Sequence, residues 1–350
     1  GAWKTTESRN VAVGYAAGPS AGGGDNVHMG VYGGYSHTGN YCVIIGADAA
    51  YNTTGLDSSV IIGRQAWGSG VGTGDNNVVI GYQAGYSGTS AGYNTFVGFQ
   101  SAYTNTTGEE NTYIGYKAAY TNNSSYNVFI GNGAGEMATG VQKSVFIGRQ
   151  AAGAAAATGD DNVVVGYKAG YDLTSGYSNV IMGYATAENI TEGHKNTILG
   201  MRAGDSITTS HSNTAIGAYA LDAATVGSEN VAIGVYAGTD YVGTTSSVYG
   251  AFGVFVGHTA GFQVTGNASY GGITLVGHAA GYSATGANKS TGIGQSALYY
   301  ADGALNVTAV GRTAGAYAEG TGSTLIGDSA GYRPTGNYNV AVGMQALSGA

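Results

Sequence analysis

Apolar residues in this chain alternate with polar or small residues in short clusters, and each cluster ends at a glycine. Residues 77–81 read NVVIG, residues 94–98 read NTFVG and residues 111–115 read NTYIG. Alternation over three or four residues predicts short β-strands, and no stretch keeps the 3.6-residue period of an amphipathic helix. The chain is therefore expected to be all-β.

The glycine that closes each cluster, called the anchor glycine below, recurs 20 times. The spacing is 16 to 18 residues, except for 23 between Gly234 and Gly257 and 20 between Gly257 and Gly277. Repeats of this length bury their apolar side chains by stacking, each repeat forming one rung. We predict a parallel β-solenoid of about 20 rungs in a single repeat domain, 1–350, with longer insertions near 235–253 and 258–273. A protruding loop is expected around 240–252.

Residue types are fixed at several positions, which we number from the anchor glycine. Position −3 is always Val or Thr, position −1 is always Val, Ile, Leu or Met, and position +3 is Ala in 17 of 20 repeats. Position −4 is Asn in 12 repeats and Ser in four. The strict columns at −3 and −1 predict an inward-facing pair, because alternate residues of a strand share a face. The Asn column predicts a ladder of amides hydrogen bonded along the stack.

Under that assignment position −2 faces outward, although it carries bulky apolar residues in ten consecutive repeats. Such a stripe would exceed the few hundred Å² that a soluble monomer usually exposes. We therefore expect it to join copies of the chain in a homotrimer or another axial oligomer; the alternative is a wide solenoid that buries both faces here. The candidate interface residues are Ile44, Ile61, Val79, Phe96, Tyr113, Phe129, Phe146, Val164, Ile181 and Ile198.

Several strings resemble known fibre repeats. DNVVVG (161–166), ENVAIG (229–234) and YNVAVG (338–343) are similar to the NSVAIG head repeats of trimeric autotransporter adhesins of the YadA type. They are equally similar to the NTAIGYxAGY repeats of tailed-phage tail fibres. The resemblance covers essentially the whole chain and implies a left-handed parallel β-roll, typically as an intertwined trimer. A longer repeat than the adhesins have, together with Tyr-rich AGY segments, favours the phage fibre.

The resemblance thus implies a non-catalytic structural fibre of a phage virion that binds a host receptor, either a surface polysaccharide or a protein. The alternatives are the head of a bacterial cell-surface adhesin or a secreted extracellular matrix fibre, and thirdly a polysaccharide depolymerase. The expected location is the virion tail or the cell exterior.

The amino-acid composition excludes several classes of partner and binding site. A formal net charge of −8 argues against nucleic acid, since phosphate binding requires a basic stripe. One cysteine, Cys42, excludes an intrachain disulfide framework and a Cys-based zinc site. No apolar run approaches the roughly 18–20 residues of a membrane span, so no membrane insertion is expected.

Motifs for catalysis are not found: the chain has no P-loop, HExxH or nucleophile elbow. We expect no enzyme activity, no cofactor and no metal. His258 and His278 both follow an anchor glycine and are expected to stack on neighbouring rungs.

Aromatic residues form the candidate binding surface. They recur at +1 and +5 in three successive repeats with 17-residue spacing. A ring with a hydroxyl suits sugars, which pair apolar C–H patches with hydroxyl groups. One alternative is a ladder that only stabilises the stack or an interchain contact; another is that the receptor is chosen by a loop such as 240–252, because loops vary more than rungs. The candidate glycan-binding residues are Tyr82, Phe99 and Tyr116 at +1, and Tyr86, Tyr103 and Tyr120 at +5.

Overall fold

A computed structural model describes most of the chain as two compact units, Gly1–Ser175 and Gly176–Ala350. Each unit is a stack of ten short parallel strands, one for each anchor glycine, and the described residues contain no helix. The predicted all-β parallel β-solenoid with one rung per repeat is therefore confirmed. The described residues are 9–20, 22–223, 227–241, 252–264, 272–334 and 336–349.

The strands are three or four residues long and end at the residue before the anchor glycine. In the first unit they are β1 Val11–Val13, β2 Val27–Met29, β3 Val43–Ile45, β4 Val60–Ile62, β5 Val78–Ile80, β6 Thr95–Val97, β7 Thr112–Ile114, β8 Val128–Ile130, β9 Val145–Ile147 and β10 Val163–Val165. In the second they are β11 Val180–Met182, β12 Thr197–Leu199, β13 Thr214–Ile216, β14 Val231–Ile233, β15 Gly253–Val256, β16 Ile273–Val276, β17 Thr291–Ile293, β18 Thr308–Val310, β19 Thr324–Ile326 and β20 Val340–Val342.

Neighbouring strands pair in register, so that each column position lies on the same position of the next rung. Val79, for example, is opposite Phe96. Hydrogen bonds between rungs continue into the turn: the amide of Gln100 donates to the carbonyl of Tyr82 at 2.9 Å, and that of Gly85 donates to Ser101 at 2.9 Å. The backbone of a rung is thus tied to its neighbours both in the strand and in the turn after it.

The two predicted insertions fall largely outside the described residues. Residues 242–251 and 265–271 are not described, so the protruding loop expected around 240–252 stays a prediction.

The predicted orientation of the strands was wrong: position −2 points into the solenoid, while −3 and −1 face outward. All ten side chains predicted as an interface are fully buried within the single chain, so they cannot contact another copy. The physical reason is that Asn at −4 is buried, and a residue two positions later lies on the same face of the strand. The misassigned residues are Ile44, Ile61, Val79, Phe96, Tyr113, Phe129, Phe146, Val164, Ile181 and Ile198.

Side chains at −2 and +4 share the interior volume. A Cβ on Gly135, at +4, would lie 2.6 Å from the ring of Phe129. Where position −2 is Gly292, the +4 residue of the same rung is Leu298, which fills the space. Large residues in one column are thus matched by small ones in the other, as close packing requires. Four of the large interior side chains stack with ring centroids 4.4–5.3 Å apart, in the order Phe96, Tyr113, Phe129 and Phe146.

Asparagines at −4 form the predicted ladder. The side-chain oxygen of Asn77 accepts the backbone amide of Asn94 at 3.0 Å and its side-chain amide at 3.2 Å. Asn94 Nδ2 also donates to the carbonyl of Gly108 at 3.0 Å. Where Ser replaces Asn, as at Ser144, its Oγ accepts the backbone amide of Asn162 at 3.0 Å. The column therefore pairs buried polar groups from rung to rung, and this prediction is confirmed.

The ladder can be tested at Asn94. Asn94→Ala removes the acceptor of the Asn111 amide, 2.9 Å away, and the donor to Gly108. Leaving such buried groups unpaired should lower the free energy of unfolding by about 1–3 kcal/mol. Asn94→Ser keeps an acceptor, as Ser144 does, and should lose clearly less. Denaturant unfolding of the three proteins checks this; equal losses in both variants would contradict the ladder's role.

Candidate interaction surfaces

The outer face of each strand presents positions −3 and −1. Position −1 is aliphatic in every repeat and partly exposed: Ile114 is 36% exposed, Ile233 39% and Ile326 40%. Position −3 is Val or Thr throughout, so neither column contains a charged residue. Ten strands about 4.8 Å apart, each three residues of about 3.3 Å, give a face on the order of 500 Å² per unit. This outer strand face is at the upper end of the apolar patches that monomers expose.

The six aromatic candidates form two columns on consecutive rungs, as predicted. Within each column the rings are nearly parallel, and their centroids are 4.9–5.3 Å apart. Tyr82, Phe99 and Tyr116 are 37%, 41% and 46% exposed, whereas the +5 rings are half-buried. Because neighbouring rings cover each other's faces, ring edges and hydroxyl groups are left for a ligand.

A polar row at +2 lies between the two aromatic columns. Lys117 shows this placement, with its Nζ 5.6 Å from the ring centre of Tyr116 and 5.2 Å from that of Tyr120. Amides of this row hydrogen bond from rung to rung at 2.9 Å, in the order Gln100, Gln83 and Gln65. Sequence reasoning missed this row, although three successive Gln at one position signalled it. We call the row and its two flanking columns the aromatic ribbon.

Surface histidines also stack. The rings of His258 and His278 are 5.4 Å apart at an interplanar angle of 6°, which confirms the predicted stacking. His194 stacks between Tyr177 and His211 at 4.7 Å and 4.8 Å. Within the described ranges, no group of three or more His, Cys, Asp or Glu side chains could hold a metal ion.

Two histidines are buried inside the first unit, which the sequence reasoning did not predict. His28 occupies position −2, and its Nε2 lies 3.1 Å from Nδ1 of His37. Nε2 of His37 lies 3.0 Å from the carbonyl oxygen of Leu56. Because a carbonyl only accepts, His37 carries its proton on Nε2, and its Nδ1 accepts from His28. Assigning −2 to the interior would have revealed His28 from the sequence.

The His28 ring leaves one nitrogen unpaired. Its Nδ1 has no hydrogen-bond partner among the described residues, and the ring packs against Gly18 and Gly34, where any Cβ would collide with it. Burial lowers the pKa of His28 to about 4, with a smaller contribution from His37. Burial also lowers the pKa of His37. Both rings are therefore neutral at pH 7.

Acid should destabilise the first unit through this pair. The pKa of His28 is about 4 in the folded chain and about 6.5 in an unfolded one, so the unfolded chain binds the proton more tightly. Protonation of His28 therefore leaves the free energy of unfolding unchanged above about pH 6.5. Between about pH 6.5 and 4 it lowers that free energy by roughly 1.4 kcal/mol per pH unit.

Unfolding free energies measured between pH 7 and 4 check this. His28→Leu places an aliphatic residue like those at the same position in neighbouring rungs and should show a shallower slope. If the wild-type protein and this variant lost stability in parallel, other groups would be responsible for the acid effect.

Comparison with known proteins does not assign this chain to a family. No helix of the described residues is long and apolar enough to cross a membrane. No known family model matches this chain, and a search of curated proteins finds no match. The resemblance to adhesin heads and phage tail fibres therefore stays a prediction.

Proposed function

We propose that this chain is a non-catalytic structural shaft of an attachment fibre, assembled from several copies packed through the outer strand face. The observation that supports this is the aliphatic residue at −1 in every repeat, on the outside of the solenoid. A solvated face would tolerate polar residues at that position, and none occurs. Exclusion from water in an assembly explains why the column is apolar throughout.

A second copy of the chain fits this face better than an unrelated protein does. The face repeats at the spacing of a strand over ten rungs of a unit, and another copy has the same spacing at every level. Two such faces, one from each of two copies, would bury about 1,000 Å² per unit, close to the minimum expected of a biological interface. Three copies around one axis, wound as left-handed β-rolls, is the arrangement that the resemblance implies.

Glutamate substitutions test the assembly. Ile114→Glu, on the outer strand face, would place an unpaired charge in the interface and should dissociate the oligomer, since such burial costs several kcal/mol. Met137→Glu is the control, because Met137 is 45% exposed but lies outside the strand. Sedimentation equilibrium should show an oligomer for the wild type and control, and dissociation for Ile114→Glu. A folded wild-type monomer at micromolar concentration would contradict the proposal.

The fibre is proposed to belong to a phage virion, with a bacterial surface adhesin head or matrix fibre as the alternative. The repeats resemble both families equally, and fold alone does not choose between them. Mass spectrometry of purified virions and of cell-surface fractions decides: the polypeptide should be found in virions, and finding it only in the surface or matrix fraction would favour the alternative.

Receptor contact is proposed for the aromatic ribbon. Hydroxyl groups and amides repeat there on each rung, so a repetitive surface polysaccharide could make many weak contacts that add through multivalency. Replacing Tyr86, Tyr103 and Tyr120 together by Phe keeps the stacked rings but removes the hydroxyls. Attachment to host cells should weaken while the melting temperature stays nearly unchanged. Tyr126→Phe, an exposed tyrosine outside the ribbon, is the control. Unchanged attachment in the triple variant would mean that the columns only stabilise the stack.

A further inference from the structure

Three tyrosines at +5 on successive rungs, Tyr86, Tyr103 and Tyr120, stack directly on one another at the spacing of the rungs. The ring centroids of Tyr86 and Tyr103 are 5.0 Å apart at an angle of 8°, and those of Tyr103 and Tyr120 are 4.9 Å apart at 10°. All three rings are half-buried, so one side of the column meets solvent. Phenols held in this way are preorganised to react with each other.

We propose that this +5 tyrosine column is a site of oxidative cross-linking between neighbouring rungs. The co-reactant is hydrogen peroxide, used by a peroxidase as a one-electron oxidant of phenols. Each of two tyrosines loses one electron and its phenolic proton to become a phenoxyl radical. The radicals join by a C–C bond between ring carbons ortho to the oxygens, and the hydrogens on those carbons move to the oxygens and restore both hydroxyls. The two electrons and two protons reduce one hydrogen peroxide to two waters.

Proximity favours coupling within the column over coupling elsewhere. A radical on Tyr103 has a second phenol on the rung before it and on the rung after it, at a distance that the hydrogen-bonded backbone maintains. Holding two reacting groups side by side replaces a bimolecular encounter with a unimolecular step. Because these side chains border on solvent, the rings can tilt to bring their ortho carbons into contact.

The neighbouring +1 column is a built-in comparison. Tyr82, Phe99 and Tyr116 stack at 5.3 Å and 5.2 Å, much as the +5 rings do. Because the middle residue is Phe99, neither Tyr82 nor Tyr116 has a phenol on the adjacent rung of this column with which to form a cross-link. If exposure alone decided which tyrosines react, Tyr93, which is 65% exposed, would be a main site. Proximity predicts no link there, because Asn76 and Glu110 occupy its position on the adjacent rungs.

The same arrangement recurs elsewhere at +5. Tyr35 stacks on Tyr51 at 5.1 Å and 8°, and Tyr282 stacks on Tyr299 at 5.2 Å and 14°. Cross-links are expected at these pairs as well. A bond between residues on adjacent rungs restricts the unfolded chain, as a disulfide does, so the oxidised protein should resist thermal unfolding better.

The experiment treats the full chain with hydrogen peroxide and a haem peroxidase, and maps products by dityrosine fluorescence and peptide mass spectrometry. Linked peptides should join Tyr86 to Tyr103 and Tyr103 to Tyr120, each lighter by two hydrogens. Their yield per chain should not change on tenfold dilution, because the reaction is intramolecular. Tyr103→Phe should abolish both links.

Phe99→Tyr is the matched gain-of-function variant, since it completes the +1 column and should add links to Tyr82 and Tyr116. Cross-links that follow exposure instead, with Tyr93 among the main sites, would overturn the proposal. A yield that falls with dilution, or a Phe99→Tyr variant without new links, would overturn it too.

Discussion

The contact on which the rest of this structure depends is that of one anchor glycine with the next. At every anchor the backbone φ lies between 123° and 142°, a conformation that side chains disfavour. A Cβ on Gly98 would also overlap the carbonyl oxygen of Gly115 on the adjacent rung. Two independent constraints, backbone conformation and direct stacking of main chain on main chain, thus require glycine at this point.

Because the anchor glycines stack, every other position of the repeat also lies above its equivalent on the next rung. The contacts within these columns explain how a chain so rich in glycine can be ordered. Residues after the anchor also take left-handed conformations, as Gln100 at φ 53° and Ala102 at φ 54° do, each at a cost of roughly 1–2 kcal/mol. Hydrogen bonds between rungs at the same turn offset this cost. Side chains of the same type then contact each other on adjacent rungs. Amides pair both inside and outside the solenoid, and aromatic rings stack in the interior and on the surface.

Much of this architecture was predictable, because the repeat itself specifies it. A strand before each anchor, the Asn ladder and the two aromatic columns all follow from the spacing of residue types. The sequence-based prediction exchanges the inner and outer faces because it equates a narrow choice of residue types, as at −3 and −1, with burial. Position −2 varies from Gly to Tyr because its volume is shared with +4, as Gly292 and Leu298 show. The Asn column at −4 indicates the correct orientation, because a ladder of paired amides is buried and position −2 lies on the same face. The same argument places His28 in the interior.

Function is less determined by the sequence than the fold is. The outer strand face is apolar and regularly spaced, and these two properties are the basis of the proposal that copies of the chain associate through it. The aromatic ribbon presents ring edges, hydroxyl groups and amides that repeat on successive rungs, and these groups suit more than one class of ligand. Repetition supports a fibre, whereas host, receptor and location depend on features that a stack of like rungs does not encode.

The most direct test of the account concerns the anchor contact itself. Gly98→Ala adds one methyl group at φ 138° against the carbonyl of Gly115, whereas Gly140→Ala adds the same group where nothing lies within 4 Å. Denaturant unfolding should show a loss of at least about 2–3 kcal/mol, or failure to fold, for Gly98→Ala. Gly140→Ala should stay within about 0.5 kcal/mol of the wild-type protein. Equal stability of the two variants would contradict the claim that backbone stacking at the anchor glycines fixes the columns.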